Sequence, residues 1–206
     1  MGFTELADQL TEIGRQCYER GWALGTSGNF SAVTSRQPLR LAITSSGVNK
    51  GTLTPAQVVE IDEKGTVVSG SGRPSAEAAL HVAIARERRA GAVLHTHSVW
   101  STILSDEAAD GGLAIEGYEM LKALDGVTTH EHREWLPVLD NTQDWSGAVP
   151  RVLAVLREQP AMHGFIIRRH GLYTWGRDLA EATRHVEALE FLFEAIGRKR
   201  GTQWQP

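Results

Sequence analysis

The last third of the chain constrains the fold most sharply. "GFIIRRHGLYTWG" reads as two strands rich in β-branched and aromatic residues, broken at His170-Gly171. Asp178 then stands where a helix cap belongs, and Ala182, Val186, Leu189, Phe193 and Ile196 share one face of the helix that follows. Two apolar strands leading into a one-faced helix require a sheet on which that helix can lie.

The remaining segments fit the same plan. Leu6, Leu10, Ile13 and Cys17 make one apolar face over residues 4–21, with Thr4 as cap and Gly21 as exit. "GTSGNFSAV" is a glycine-bearing turn entering a strand from Phe30 to Thr34, and "LRLAITSSG" is a second strand. "VVEID" and "GTVVSG" form a hairpin about Glu63 to Gly65. Residues 75–90 read as a helix capped by Ser75, "GAVLHTHS" as a short strand entering a helix at "VWSTIL", and Asp110 to Gly112 as a glycine-rich break. A short helix near Tyr118 to Leu124, a strand from Glu134 to Leu139 and a helix from Ser146 to Glu158 complete the series. Strands and helices are thus interspersed, which predicts an α/β fold with helices on both faces of a central sheet; the hairpins make that sheet mixed and largely antiparallel. Neither a repeat nor a linker interrupts it, so residues 1–206 are read as one domain with a frayed tail at 199–206.

Composition narrows the function. At 206 residues a folded chain hides roughly 70% of its unfolded surface, enough to need no staples. Cys17 is the single cysteine, which rules out an internal disulfide framework and a multi-cysteine zinc ribbon. A net charge of -4 leaves no basic footprint for nucleic acid. No stretch approaches the roughly 20 apolar residues of a membrane span, and acids stand where a signal peptide carries bases. The expected setting is the cytoplasm, with neither nucleic acid nor membrane as partner.

Chemistry concentrates in the histidines. In an extended segment, His95 and His97 point to one side and Thr96 to the other, close enough for two imidazoles to share one ion. His170 also ends a β-branched run beside a glycine and is the best third ligand. Three neutral imidazoles favour zinc or another transition metal and leave positions open for substrate. Spacing alone leaves a second reading open, in which the pair merely ends a strand and bonds to nearby carbonyls. The same spacing in "HEH" at 130–132 lies among polar residues and reads as solvated surface, while His81, His163 and His185 read as structural. Gly25 and Gly28 let backbone approach a ligand, and Asn29, Thr44, Ser45, Ser46, Gly47 and Ser75 offer donors suited to a phosphate, with charge from Lys50 or Arg73. Taken singly these are also what ordinary turns and caps contain.

Five motifs in order, "GTSGNFS", "ITSSGVNKGTL", "PSAEAALH", "AVLHTHS" and "RRHGLYTWG", resemble the class II aldolase/adducin head superfamily across nearly the whole chain. "GYEMLKAL" and the wording of the last motif are most similar to its ketose-1-phosphate dehydratases. The resemblance implies a three-layer α/β/α domain, one Zn2+ per subunit on His95, His97 and His170, and a homotetramer with active sites at subunit interfaces. It makes a phosphorylated ketose the partner and Asn29, Ser46, Gly47 and Ser75 its binding residues. Glu77 falls where the related aldolases carry a glutamate that touches the metal or serves as acid/base. Glu119 matches the dehydratase acid/base and is expected to titrate near neutrality. Two other functions stay in view: retro-aldol cleavage of a similar sugar phosphate, and a non-catalytic adducin-like module, against which the three intact histidines speak.

Overall fold

The apolar stripe at Leu6, Leu10, Ile13 and Cys17 forms helix α1 (Phe3–Glu19), in a computed structural model that describes residues 1–108 and 111–203. Then come β1 (Asn29–Arg36), β2 (Leu39–Thr44), β3 (Val58–Asp62), β4 (Val67–Ser69), α2 (Ala78–Glu87), β5 (Ala92–Thr96) and α3 (Val99–Glu107). The second half supplies β6 (Gly112–Ile115), a 3-10 turn (Glu119–Ala123), β7 (Glu134–Leu139), α4 (Trp145–Glu158), β8 (Gly164–Ile167), β9 (Gly171–Gly176) and α5 (Leu179–Gln203). Two further 3-10 turns, Lys50–Thr52 and Pro55–Gln57, bridge β2 and β3.

The strands form one sheet in the order β4-β3-β2-β1-β5-β9-β8-β7-β6. Every neighbouring pair is antiparallel except β7 with β8, so the sheet is mixed and largely antiparallel. Alternation divides the core. Val93, Phe165, Ile167, Tyr173 and Trp175 pack towards α2 and α4, whereas Ala92 and Leu94 face α1 and the start of α5. Ile166 and Leu172 meet the later turns of α5 beside Leu104 of α3. Helices therefore cover both faces, as the sequence predicts. Cys17, on the inner face of α1, is 4% exposed in the layer between that helix and the sheet.

Several boundaries move. Gly2 rather than Thr4 occupies the N-cap of α1, with no side-chain cap bond. Gly21 does turn the chain out, at φ 76°. Helix α2 begins at Ala78, not at Ser75, because the Ser75 hydroxyl is engaged by the Glu77 N–H and by Asn29, while Pro74 bridges back to Ser45. It stops at Glu87, two residues before Arg89 takes a left-handed φ of 51°. Of the expected break at 110–112, Asp110 lies outside the described residues and Gly112 instead opens β6. There an added Cβ would run into the Trp135 ring, so the glycine is a packing requirement rather than a chain break. The tail expected to fray at 199 continues as helix to Gln203; Arg200 pairs with Glu107 at 2.7 Å, and Gly197 lets the Trp100 ring pack close. Residues 204–206 lie outside the described residues.

Candidate metal centre and substrate pocket

Strand register gathers the candidate residues at one end of the sheet. Asn29 opens β1 opposite His95, and Thr96 at the end of β5 lies opposite Leu172 of β9. His97 follows β5, with its N–H on the Trp22 carbonyl, and His170 precedes β9. The three Nε2 atoms converge: His95 to His97 is 2.8 Å, His97 to His170 3.0 Å and His95 to His170 3.3 Å. Residues 73 to 75 apart in sequence meet because β5 and β9 are neighbours.

The tautomers fit a cation. His95 Nδ1 donates to the Leu172 carbonyl at 2.8 Å and His170 Nδ1 to Asn141 Oδ1 at 3.3 Å, which leaves their Nε2 lone pairs facing inward. Three nitrogens this close are all within reach of one ion at the usual metal–nitrogen length of about 2.0–2.1 Å. Burial and the neighbouring imidazoles push His95 well below the usual histidine range and His97 down to about 2; burial also lowers His170. The rings stay neutral, the form that ligates. Tyr173 stacks on His95 with ring centroids 4.0 Å apart and Trp145 meets His170 edge-on at 5.3 Å, so an aromatic ring packs against each of these two imidazoles.

Glu77, just ahead of α2, completes the cluster. Its Oε1 is 3.2 Å from His170 Nε2 and its Oε2 3.4 Å from His95 Nε2. Beside it opens a cavity of about 180 Å³ lined by Gly28, Asn29, Ser46, Gly47, Lys50 and Ser75, with His97 and Trp145 on the rim. Asn29, Ser46, Gly47, Ser75 and Glu77, the residues to which the resemblance points for substrate, thus line one hollow next to the imidazoles, and Gly25 lies outside it. So does Thr44: it is fully buried and its hydroxyl accepts the Phe30 N–H. Arg73 is exposed and outside the lining, whereas Lys50 is 1% exposed, with Nζ held by the Val48 and Thr26 carbonyls at 3.1 and 3.4 Å. Burial pushes this ammonium down to about 8, and among the described residues no carboxylate pairs with it. A buried cation without a counter-ion suits an anion-binding hollow. Gly28, at φ 72°, brings its backbone so close to the His95 carbonyl that a Cβ would lie 2.9 Å from it.

Glu119 is elsewhere. Its 3-10 turn is tied to the opposite end of the sheet, where Arg184 of α5 donates to the Ala123 carbonyl, Asp125 N–H to His185, and His185 in turn to the Trp175 carbonyl. Four residues of strand, about 13 Å, separate Trp175 from Gly171 beside the imidazoles. Glu119 is exposed, and the Lys122 ammonium 2.7 Å away holds its carboxyl below the usual range, contrary to a near-neutral titration within one chain.

The "HEH" reading also needs correction. His130 is exposed, but His132 Nε2 lies 2.8 Å from Oε2 of Glu134, which is 1% exposed, and His163 Nδ1 lies 2.9 Å from the same oxygen. Glu134 Oε1 takes the His163 N–H, and His163 Nε2 donates to the Asp125 carbonyl. Burial raises the Glu134 carboxyl, but the bonds and charge of His163, with the bond from His132, outweigh it and leave it low. His163 is correspondingly raised, its bond to Glu134 overcoming burial. Each of these contacts closes on protein atoms, so this is a buried ion pair locking β7 to β8.

Fold and site together define an α/β domain whose sheet end carries a candidate three-histidine metal centre. Residues 8–196 match the family described as Class II Aldolase and Adducin N-terminal domain, and the chain belongs to that family. Among its relatives, the methylthioribulose-1-phosphate dehydratase of Sorangium cellulosum is 45% identical over 195 residues, 93% of this chain and 91% of the relative. The enzyme of that name from Methylococcus capsulatus is 44% identical over 202 residues, 98% of this chain and 97% of the relative. The L-fuculose-1-phosphate aldolase of Thermus thermophilus shares the fold with a TM-score of 0.74 at 24% identity, covering 99% of this chain and 98% of that one.

Proposed function

We propose that the chain is a methylthioribulose-1-phosphate dehydratase: it removes water from 5-methylthioribulose 1-phosphate to give 2,3-diketo-5-methylthiopentyl 1-phosphate, a step of methionine salvage. The observation that carries the reading is the convergence of three neutral imidazoles beside an anion-suited hollow, in a chain 45% identical to enzymes of that name. His95, His97 and His170 would hold one Zn2+, and that ion supplies Lewis acidity at the ketose carbonyl, making the adjacent C–H acidic. Ser46, Gly47, Ser75 and Lys50 bind the phosphate and fix the sugar at the mouth of the cluster, while Asn29, its amide bonded to Glu77 and Ser75, lines the hollow and holds those two in place. Glu77 faces the same space and orients the substrate or accepts a proton.

Glu119 acts as the acid/base. It helps remove the proton next to the carbonyl and returns one to the departing hydroxyl; water leaves, the enol becomes the diketone, and no carbon–carbon bond breaks. Because its turn is anchored at the far end of its own sheet, it serves the centre of a neighbouring copy, which supports a homotetramer with interfacial sites. Burial in that interface displaces Lys122 and raises the carboxyl towards neutrality. No helix among the described residues is long and apolar enough to cross a membrane, and with one buried free thiol the cytoplasm is the fitting location. Incubation with 5-methylthioribulose 1-phosphate and with fuculose 1-phosphate tests the reading: diketone from the first without aldehyde from the second supports it, and aldehyde release from either replaces it with an aldolase.

A further inference from the structure

A row of buried polar side chains runs from the middle of the sheet to the carboxylate beside the imidazoles. Ser31 and His81 are fully buried, Asn29 is 6% exposed and Glu77 7%. Its hydrogen-bond directions follow from the Glu77 end. Glu77 Oε2 accepts from Asn29 Nδ2 at 2.6 Å and from the Tyr173 hydroxyl at 2.9 Å, which fixes the Asn29 NH2 towards Glu77. Asn29 Oδ1 then faces His81 Nε2 in direct contact. An amide oxygen only accepts, so Nε2 carries the hydrogen. Ser31 Oγ is 2.8 Å from His81 Nδ1 and 3.5 Å from the Val93 carbonyl, so its proton goes to the ring. Burial pushes this imidazole down to about 4, in keeping with a neutral ring.

The chain of donors therefore has one sense: Ser31 to His81, His81 to Asn29, Asn29 to Glu77. Turning the Asn29 amide over would set its NH2 against the His81 N–H and its oxygen against the carboxylate. Two repulsive contacts in a buried place forbid it. Oε2 of Glu77 thereby holds two donors, while Oε1, 3.2 Å from His170 Nε2, is given none by the row.

We propose that His81 is a positioning residue which, acting through Asn29, saturates one oxygen of Glu77 and leaves Oε1 as the oxygen that meets the substrate or the ion. Ser31 sets the tautomer that makes this possible. The kinetic part rests on the dehydratase reading; the amide orientation does not. His81→Leu removes the N–H, and His81→Gln restores a donor at nearly the same reach. The Leu variant should lose about 10- to 100-fold in turnover, the range for groups that orient ligand-bearing side chains. Zinc content and KM should stay near wild type, and the Gln variant should recover most of the loss. A crystal structure of the metal-free Leu variant should show the Asn29 amide, its anchor gone, shifted so that its contact with Glu77 Oε2 is longer than 2.6 Å. Equal losses in both variants, a raised KM at unchanged kcat, or an unmoved amide each overturn the proposal. If the Leu variant does not fold, Ser31→Ala decides: several-fold lower turnover with zinc retained upholds it, and unchanged turnover overturns it. A wild type without water-loss activity defeats the dehydratase reading, while the amide in the crystal still decides the role of His81.

Discussion

At the scale of single residues, convergence and isolation lead to different expectations. Among the described residues Glu119 pairs only with Lys122 and His130, so Glu119→Gln should leave the melting temperature and zinc content unchanged. Turnover should fall about 10²- to 10⁴-fold, the usual worth of a general acid/base; full activity in a steady-state assay removes it from the mechanism. Glu190 presents the opposite case. It is 1% exposed, it accepts the Thr96 hydroxyl at 2.6 Å, and burial pushes its carboxyl up to about 7. The folded state therefore binds the proton more tightly than the unfolded one, and stability is lost as pH rises from about 4.3 to about 7. Glu190→Gln should be the more stable protein at pH 8, by on the order of 3 kcal/mol, with the gap closing below about pH 4 in thermal melts across that range. His95, His97 and His170 were legible because each ends an apolar run. The partners Tyr173, Asn141 and His81 were not, since a strand, a loop and a helix distant in sequence bring them together only when the layers pack.

Elements are held to close tolerances where the site is built. At Gly171 a Cβ would overlap the Thr96 carbonyl oxygen, so any side chain forces β5 and β9 apart at the point where they align the imidazoles. Gly171→Ala should cost about 3 kcal/mol or more in chemical denaturation and lower zinc affinity together. Gly201→Ala, in the last turns of α5 with nothing within 4 Å, should be neutral or stabilising by up to about 1 kcal/mol. The sequence showed most elements because their apolar periods are clean, and β7 was read to the residue. It concealed β6, whose opening glycine serves a tryptophan ring rather than a turn, and it placed α2 three residues early because Ser75 looks like a cap while serving Asn29 and Glu77.

For the whole molecule, the distance between Glu119 and the imidazoles matters most. Sequence reading predicted a layered α/β fold but not the strand order, which is set by long-range pairing and puts these groups at opposite ends of the sheet. If each site joins the histidines of one copy to the glutamate of the next, His170→Ala and Glu119→Gln should each be nearly inactive alone. Co-expressed, they should regain about one site in four by random assortment; no recovery in isolated mixed oligomers would place both groups in one chain. The lone cysteine has a practical use of another kind. Cys17 is on the buried face of α1 with its thiol pushed up to about 12 by burial, so it is neither accessible nor ionised in the native protein. A maleimide dye can therefore attach only when that helix lifts, and the rate of labelling becomes a clock for how often this layer opens.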